Sequence, residues 1–278
     1  MISPGEAQAV GPFQLTRLLD PSPFGDRWLA HHDEHHTDWI IHGFGPHMNK
    51  SARVLLLSWL EAAGSFSHAH LPSIQRVVDR ERGNDEEWIW AAEPYLGSED
   101  GLLTVDRLVD LKGGRMSPAE TERVLLHALD AMRFAHDLGV CHGPITASDL
   151  LIDRHGSITI DLYGLRRRLN GVLELDPEVV LDEVRSVAMI GYWVMTGLEA
   201  EEPRILASRL IRRLDRAWDD WFEVALDPAS GFSTARDALA ALPSIGSRQV
   251  VEVKPGSARG VLERLRTAWS GTSSSSGG

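Results

Sequence analysis

The chain has 278 residues, 43% of them hydrophobic, which is enough for one large domain or two lobes with substantial cores. A net charge of −12 and a pI near 5.4 argue against nucleic acid as a partner, because phosphate neutralisation needs clustered positive charge. Cys141 is the single cysteine, which excludes an internal disulfide and a cysteine zinc cage.

The opening MISPGEAQAVGPFQL lacks the basic start and apolar run of a signal peptide, and no later stretch is apolar for long enough to span a bilayer. A cytoplasmic setting without direct membrane insertion is therefore expected, either for the chain by itself or for the cytosolic part of a longer protein. From Phe13 to Phe44 the run reads as strand, loop, strand, turn and strand. The loop DPSPFG, Asp20 to Gly25, has good turn chemistry. His31, His32, His35 and His36 fall in the second turn beside Asp33 and Glu34; their spacing matches no closed metal site, so they read as a solvated turn.

A helix is predicted over about Ser51 to Ala63, followed by His68-Ala69-His70-Leu71-Pro72. Trp88 to Gly97, WIWAAEPYLG, reads as a strand running into a connector, and Leu102 to Leu111 fits a short helix. Ser117-Pro118-Ala119-Glu120 is a capping box with proline at the first helical position. After it Val124, Leu125, Ala128, Leu129, Met132 and Ala135 recur at helical spacing up to Gly139. Leu150 to Ile152 and Ile158 to Ile160 are short strands joined by a turn at His155-Gly156. Thr234 to Leu242 is a closing helix. Gln249 to Val253 reads as an extra strand, and Val261 to Trp269 as a short helix with Trp269 as its docking anchor.

The segment HGPITASDLLIDRHGSITIDLYGL, His142 to Leu165, resembles the catalytic loop and metal-binding turn of the protein kinase-like superfamily. Together with the order of elements from Gly11 to Pro243, it is similar to a degenerate bacterial serine/threonine kinase domain, a pseudokinase. The resemblance implies an α+β, bilobal fold with a small β-rich N-lobe over 11–92 and a larger, mainly helical C-lobe over 93–243. Residues 1–10 are then an N-terminal extension, and 244–278 a C-terminal strand and helix extension ending in a Ser/Gly linker.

The resemblance also assigns roles, and most of the working residues depart from the family's pattern. The three glycine positions of the phosphate loop fall on Asp20, Ser22 and Gly25, with Pro21 and Pro23 removing backbone donors between them. The phosphate-binding lysine position falls on His42, with Lys50 beyond the strand, and the position of its glutamate partner on Trp59, with Glu61 on a different side of the helix. Pro144 replaces the catalytic Asp, Gly143 the Arg beside it, Thr146 the usual lysine, and Leu162 the metal-binding Asp.

Asp149, at the position of the metal-ligand Asn, and Asp161, beside Leu162, are the remaining metal candidates. Glu183 stands where the family braces the catalytic loop. Gly25, Glu93 and Tyr95 outline a vestigial nucleotide cleft. Trp28, Trp39, Trp59, Trp88 and Trp90 either fill the space that ATP takes in relatives or are ordinary core aromatics. Arg166-Arg167-Arg168 is either a docking patch for an acidic or phosphorylated segment or a solvated loop.

The expectation is a catalytically inactive domain without a cofactor. Its nucleotide binding is weak or absent, and it acts on protein partners as a scaffold or allosteric regulator. The alternative is an atypical nucleotide-binding enzyme that uses Asp149 and Asp161 as metal ligands, and a third reading is a sensor for a non-nucleotide ligand.

Overall fold

The protein is described here from a computed structural model, which covers residues 8–19, 22, 24–45, 48–77, 88–97, 102–172 and 174–244. Asp20, Pro21, Pro23, the strand expected at Gln249 to Val253 and the helix carrying Trp269 lie outside the described residues.

Short runs of β-branched and aromatic residues, broken by turns, give the amino-terminal strands β1 (Gln8–Val10), β2 (Phe13–Leu18), β3 (Asp26–His32) and β4 (Thr37–Phe44). Helix α1 (Lys50–Ala63) follows, then β5 (Gln75–Val77) and β6 (Ile89–Pro94). The six strands form one antiparallel sheet in the order β1-β2-β3-β4-β6-β5. β1 comes from the stretch expected to precede the domain, and it pairs along β2.

Successive side chains on a strand point to opposite faces, and this sheet uses the two faces differently. The outer face carries an apolar cluster of Val10, Phe13, Leu15, Ala30, Ile41, Val77, Trp90 and Ala92, with Trp28, Trp39 and Trp88 packed against it. The inner face carries Ile40, His42 and Phe44 from β4. The register sets Arg27 of β3 and Ala91 of β6 opposite His42, and Glu93 opposite Ile40. Three polar side chains therefore share the face that looks toward the rest of the molecule.

Helix α1 starts where the Asn49 side chain accepts the Ala52 N–H at 2.8 Å, and it buries Leu56, Trp59, Leu60 and Ala63. Beyond β6 come α2 (Val105–Leu111) and α3 (Pro118–Asp137), the latter opened by the Ser117/Glu120 capping box. A 3₁₀ turn (Ala147–Asp149) leads into the hairpin of β7 (Leu150–Ile152) and β8 (Ile158–Ile160). The helices α4 (Leu165–Leu169), α5 (Pro177–Thr196), α6 (Ala207–Leu210), α7 (Ala217–Ala225) and α8 (Ala235–Ala240) complete the order. The buried stripe of α3, Val124 to Ala135, joins one continuous core with Val187, Ala188 and Val194 of α5 and with Ala235 and Ala238 of α8. Among the described residues no helix is long and apolar enough to cross a membrane.

Two histidines fasten β8 to the segment after α1. The His70 Nδ1–H donates to the Ile158 carbonyl at 2.8 Å, the Ile158 N–H donates to His127 Nδ1 at 3.2 Å, and the two rings stack with centroids 3.9 Å apart. His127 must keep Nδ1 unprotonated to accept that bond. Partial burial, then repulsion from His70 and Arg123, lower its pKa to about 4.

A histidine whose pKa is depressed on folding takes up its proton more readily in the unfolded chain. Its contribution is therefore intact above the ordinary value of 6.5 and is lost as pH falls toward about 4. Urea denaturation at pH 7 and pH 5 is expected to show a larger loss of stability for the wild type than for His127→Gln, whose amide accepts the same bond without titrating. Equal losses contradict this role.

Candidate functional site

The site lies between the inner face of the sheet and the turn Leu162-Tyr163-Gly164. Leu162 adopts φ 43 and is buried in the core, and the preceding residue, Asp161, turns its carboxylate up to the sheet. There Arg27 Nη1 donates to Asp161 Oδ2 at 3.1 Å, and the His42 ring Nε2–H donates to Glu93 Oε1 at 3.0 Å. Arg27, His42, Glu93 and Asp161 are 7%, 2%, 1% and 8% exposed, so four ionisable groups share a space almost sealed from water.

The local field decides their protonation. Burial opposes a charge on His42, but the attraction of Glu93, the hydrogen bond to it and the further pull of Asp161 outweigh that opposition and raise the imidazole pKa. Burial, followed by repulsion from Glu93, lifts Asp161 to about 6, against the pull of His42 and Arg27.

Glu183 of α5 is fully buried beneath the catalytic-like loop. Its Oε2 accepts the His142 N–H at 3.0 Å and the Gly143 N–H at 3.3 Å, and its Oε1 accepts the Tyr163 hydroxyl. The Gly164 N–H closes the ring by donating to His142 Nδ1 at 3.1 Å. A carboxylate on a buried helix thus holds both the loop and the turn. Helix α1 is tied to the same turn from the other side, where Trp59 Nε1–H donates to the Tyr163 carbonyl at 2.9 Å. Glu61 is exposed, and Lys50 is exposed at the first residue of α1.

The other expected positions have clear placements. Pro144 is exposed. Asp149 Oδ2 accepts the Thr146 N–H at 2.8 Å and the Thr146 hydroxyl at 2.6 Å, and lies 3.9 Å from His142 Nε2, so its carboxylate braces its own 3₁₀ turn. Gly25 has φ 153, and a Cβ there would lie 2.2 Å from the Gly43 carbonyl oxygen; close approach of two backbones requires this glycine, whatever binds. The Tyr95 N–H donates to the Asp38 carbonyl at 3.2 Å and extends the strand pairing into the connector. His32 Nδ1 accepts the N–H groups of Glu34 and His35, so the histidine-rich segment is a hydrogen-bonded turn.

Geometry bears on the two readings left open for the tryptophans and on the arginine patch. Indole rings do not fill the space under the sheet: alternation sends Trp28, Trp39 and Trp90 to the outer face with Ile41, and Trp59 into the main core, while Arg27, His42 and Glu93 take the inner face. The three arginines of α4 do not form one patch either, because successive helical residues point apart. Arg166 lies over the Phe24 ring at 5.9 Å, Arg167 donates to the Glu174 carbonyl at 3.1 Å, and Arg168 donates to Ser58 of α1 at 3.0 Å.

No family profile matches the chain. It is 25% identical over 146 residues to CBL-interacting protein kinase 9 of Oryza sativa subsp. japonica, an alignment covering 44% of this chain; the chain spans about a third of that relative's length, 32%. The kinase domain of Mycobacterium tuberculosis PknI superposes with a TM-score of 0.62 at 16% identity, covering 87% of this chain and 98% of that domain, and a double mutant of the same domain with a TM-score of 0.63. With a small antiparallel sheet above a mainly helical lobe, and a braced loop and turn between them, the chain has the α+β, bilobal fold of the protein kinase-like superfamily.

Proposed function

We propose that this domain does not transfer phosphate and works instead as a protein-binding scaffold or allosteric regulator. The observation that carries the reading is the buried cluster of Arg27, His42, Glu93 and Asp161, which sets two carboxylates and a hydrogen-bonded imidazole where the resemblance puts the phosphate-binding lysine and the nucleotide. A triphosphate brought there meets a space already taken by two carboxylates paired with Arg27 and His42 and almost sealed from water.

The remaining donor set does not fit a magnesium nucleotide. Leu162 has no ligand atom, one oxygen of Asp149 already takes two bonds from Thr146, and the exposed Pro144 has no titratable group for general-base catalysis. The links from Glu183 and Trp59 hold loop, turn and helix α1 in one arrangement through the chain's own side chains, as suits a surface that a partner reads. Thermal unfolding with ATP, with and without Mg²⁺, is expected to leave Tm unchanged. A magnesium-dependent rise that disappears in Asp149→Ala would overturn the reading in favour of a nucleotide-binding enzyme.

A further inference from the structure

We infer that His42, Glu93 and Asp161 form a binding site for one zinc ion, which staples the sheet of the small lobe to the Leu162-Tyr163-Gly164 turn. The three are the one group of potential metal ligands among the described residues, and one donor atom from each lies within 4.8 Å of the others. Each also keeps a sealed polar atom with no hydrogen-bond partner among the described residues: His42 Nδ1, Glu93 Oε2 and Asp161 Oδ1.

The chemistry selects the ion. One imidazole nitrogen and two carboxylate oxygens are a donor set of zinc, with bonds of about 2.0–2.2 Å that set tetrahedral ligands roughly 3.3–3.6 Å apart. Closing from a spacing within 4.8 Å takes side-chain shifts of up to about 1.5 Å, and a water completes the fourth position. Magnesium is disfavoured, because it takes all-oxygen octahedral shells and keeps several waters, for which a site this dry has little room.

The charge count agrees. Arg27 donates to Asp161 Oδ2, which leaves Asp161 Oδ1 for the ion, and the two carboxylates Glu93 and Asp161 match its double positive charge. The ligands come from β4, β6 and the segment after β8, so the ion would cross-link both sides of the cleft. The site shares Asp161 with the alternative reading but uses neither Asp149 nor Leu162, the positions where the resemblance puts magnesium, and its test does not require phosphate transfer.

The test uses the full chain stripped with EDTA, dialysed, and titrated with Zn²⁺ at pH 7.5 by calorimetry and thermal unfolding. One equivalent is expected to bind and to raise Tm by roughly 5–10 °C at a hundredfold excess over Kd. Glu93→Gln should abolish the rise, while His35→Ala/His36→Ala, which removes exposed histidines, should leave it intact. If Glu93→Gln does not fold, Co²⁺ added to the wild type is the second readout: tetrahedral d–d absorption that Zn²⁺ displaces supports the site. No stoichiometric binding, binding lost in His35→Ala/His36→Ala but kept in Glu93→Gln, or cobalt with only the weak absorption of an aquo ion would overturn it.

Discussion

Glu183→Ala is expected to lower folding stability by roughly 3–5 kcal/mol, because it strips the acceptor from three buried donors at once, each worth about 1–3 kcal/mol when left unpaired. The donors are the His142 and Gly143 N–H groups and the Tyr163 hydroxyl, and Glu183 itself has no solvent exposure, so water cannot take its place without a cavity opening. Tyr163→Phe removes one donor and leaves Oε1 of Glu183 unpaired, so its cost should be smaller, about 1–3 kcal/mol. Urea denaturation checks both: the midpoint should fall at unchanged m, in the order wild type, Tyr163→Phe, Glu183→Ala. A Glu183→Ala midpoint equal to that of the wild type would show that this carboxylate does not hold the loop and turn.

The second large effect belongs to the buried cluster. Arg27→Leu leaves Asp161 and Glu93 facing each other with less compensating charge, and breaking a buried pair from one side costs about 3–5 kcal/mol. Replacing both partners removes the uncompensated charge along with the bond, so Arg27→Leu/Asp161→Leu should recover to within about 1 kcal/mol of the wild type or exceed it. Measured in EDTA, the double-mutant cycle should return a coupling energy well above the 0.5 kcal/mol that marks independent sites. Additive single-variant costs would mean that the two residues do not act as a pair.

The elements whose signals are local were legible in the sequence. The Ser117/Glu120 box and the apolar stripe from Val124 to Ala135 define α3 before any tertiary contact is known, and the strands around His155-Gly156 follow from β-branched residues flanking a turn. The bilobal fold followed from the order of such segments.

His42, Glu93 and Asp161 were named one by one from the resemblance, but their meeting under the sheet and the part of Arg27 were not legible, because these residues come together only through register. Arg27 and Asp161 stand 134 positions apart, and nothing near either one announces a partner. A signal existed nonetheless. Once Ile41 and Trp39 are assigned to an apolar face, alternation forces His42 inward, and antiparallel pairing carries Arg27 and Glu93 inward with it. The tryptophans left two readings open for the same reason. Their size suggests a plug, but their parity along the strands puts them on the far face. Asp149 was a metal candidate only through its position in a motif, and one of its oxygens accepts the Thr146 N–H and hydroxyl.

A kinase-like scaffold whose central space is given over to paired, buried side chains is expected not to transfer phosphate. The most direct measurement is transfer of label from γ-labelled ATP by the purified chain, with Mg²⁺ and with Mn²⁺, onto itself and onto a general acceptor protein. No incorporation above that of the heat-denatured chain is expected. Label transferred by the wild type and abolished by Asp161→Asn would contradict it.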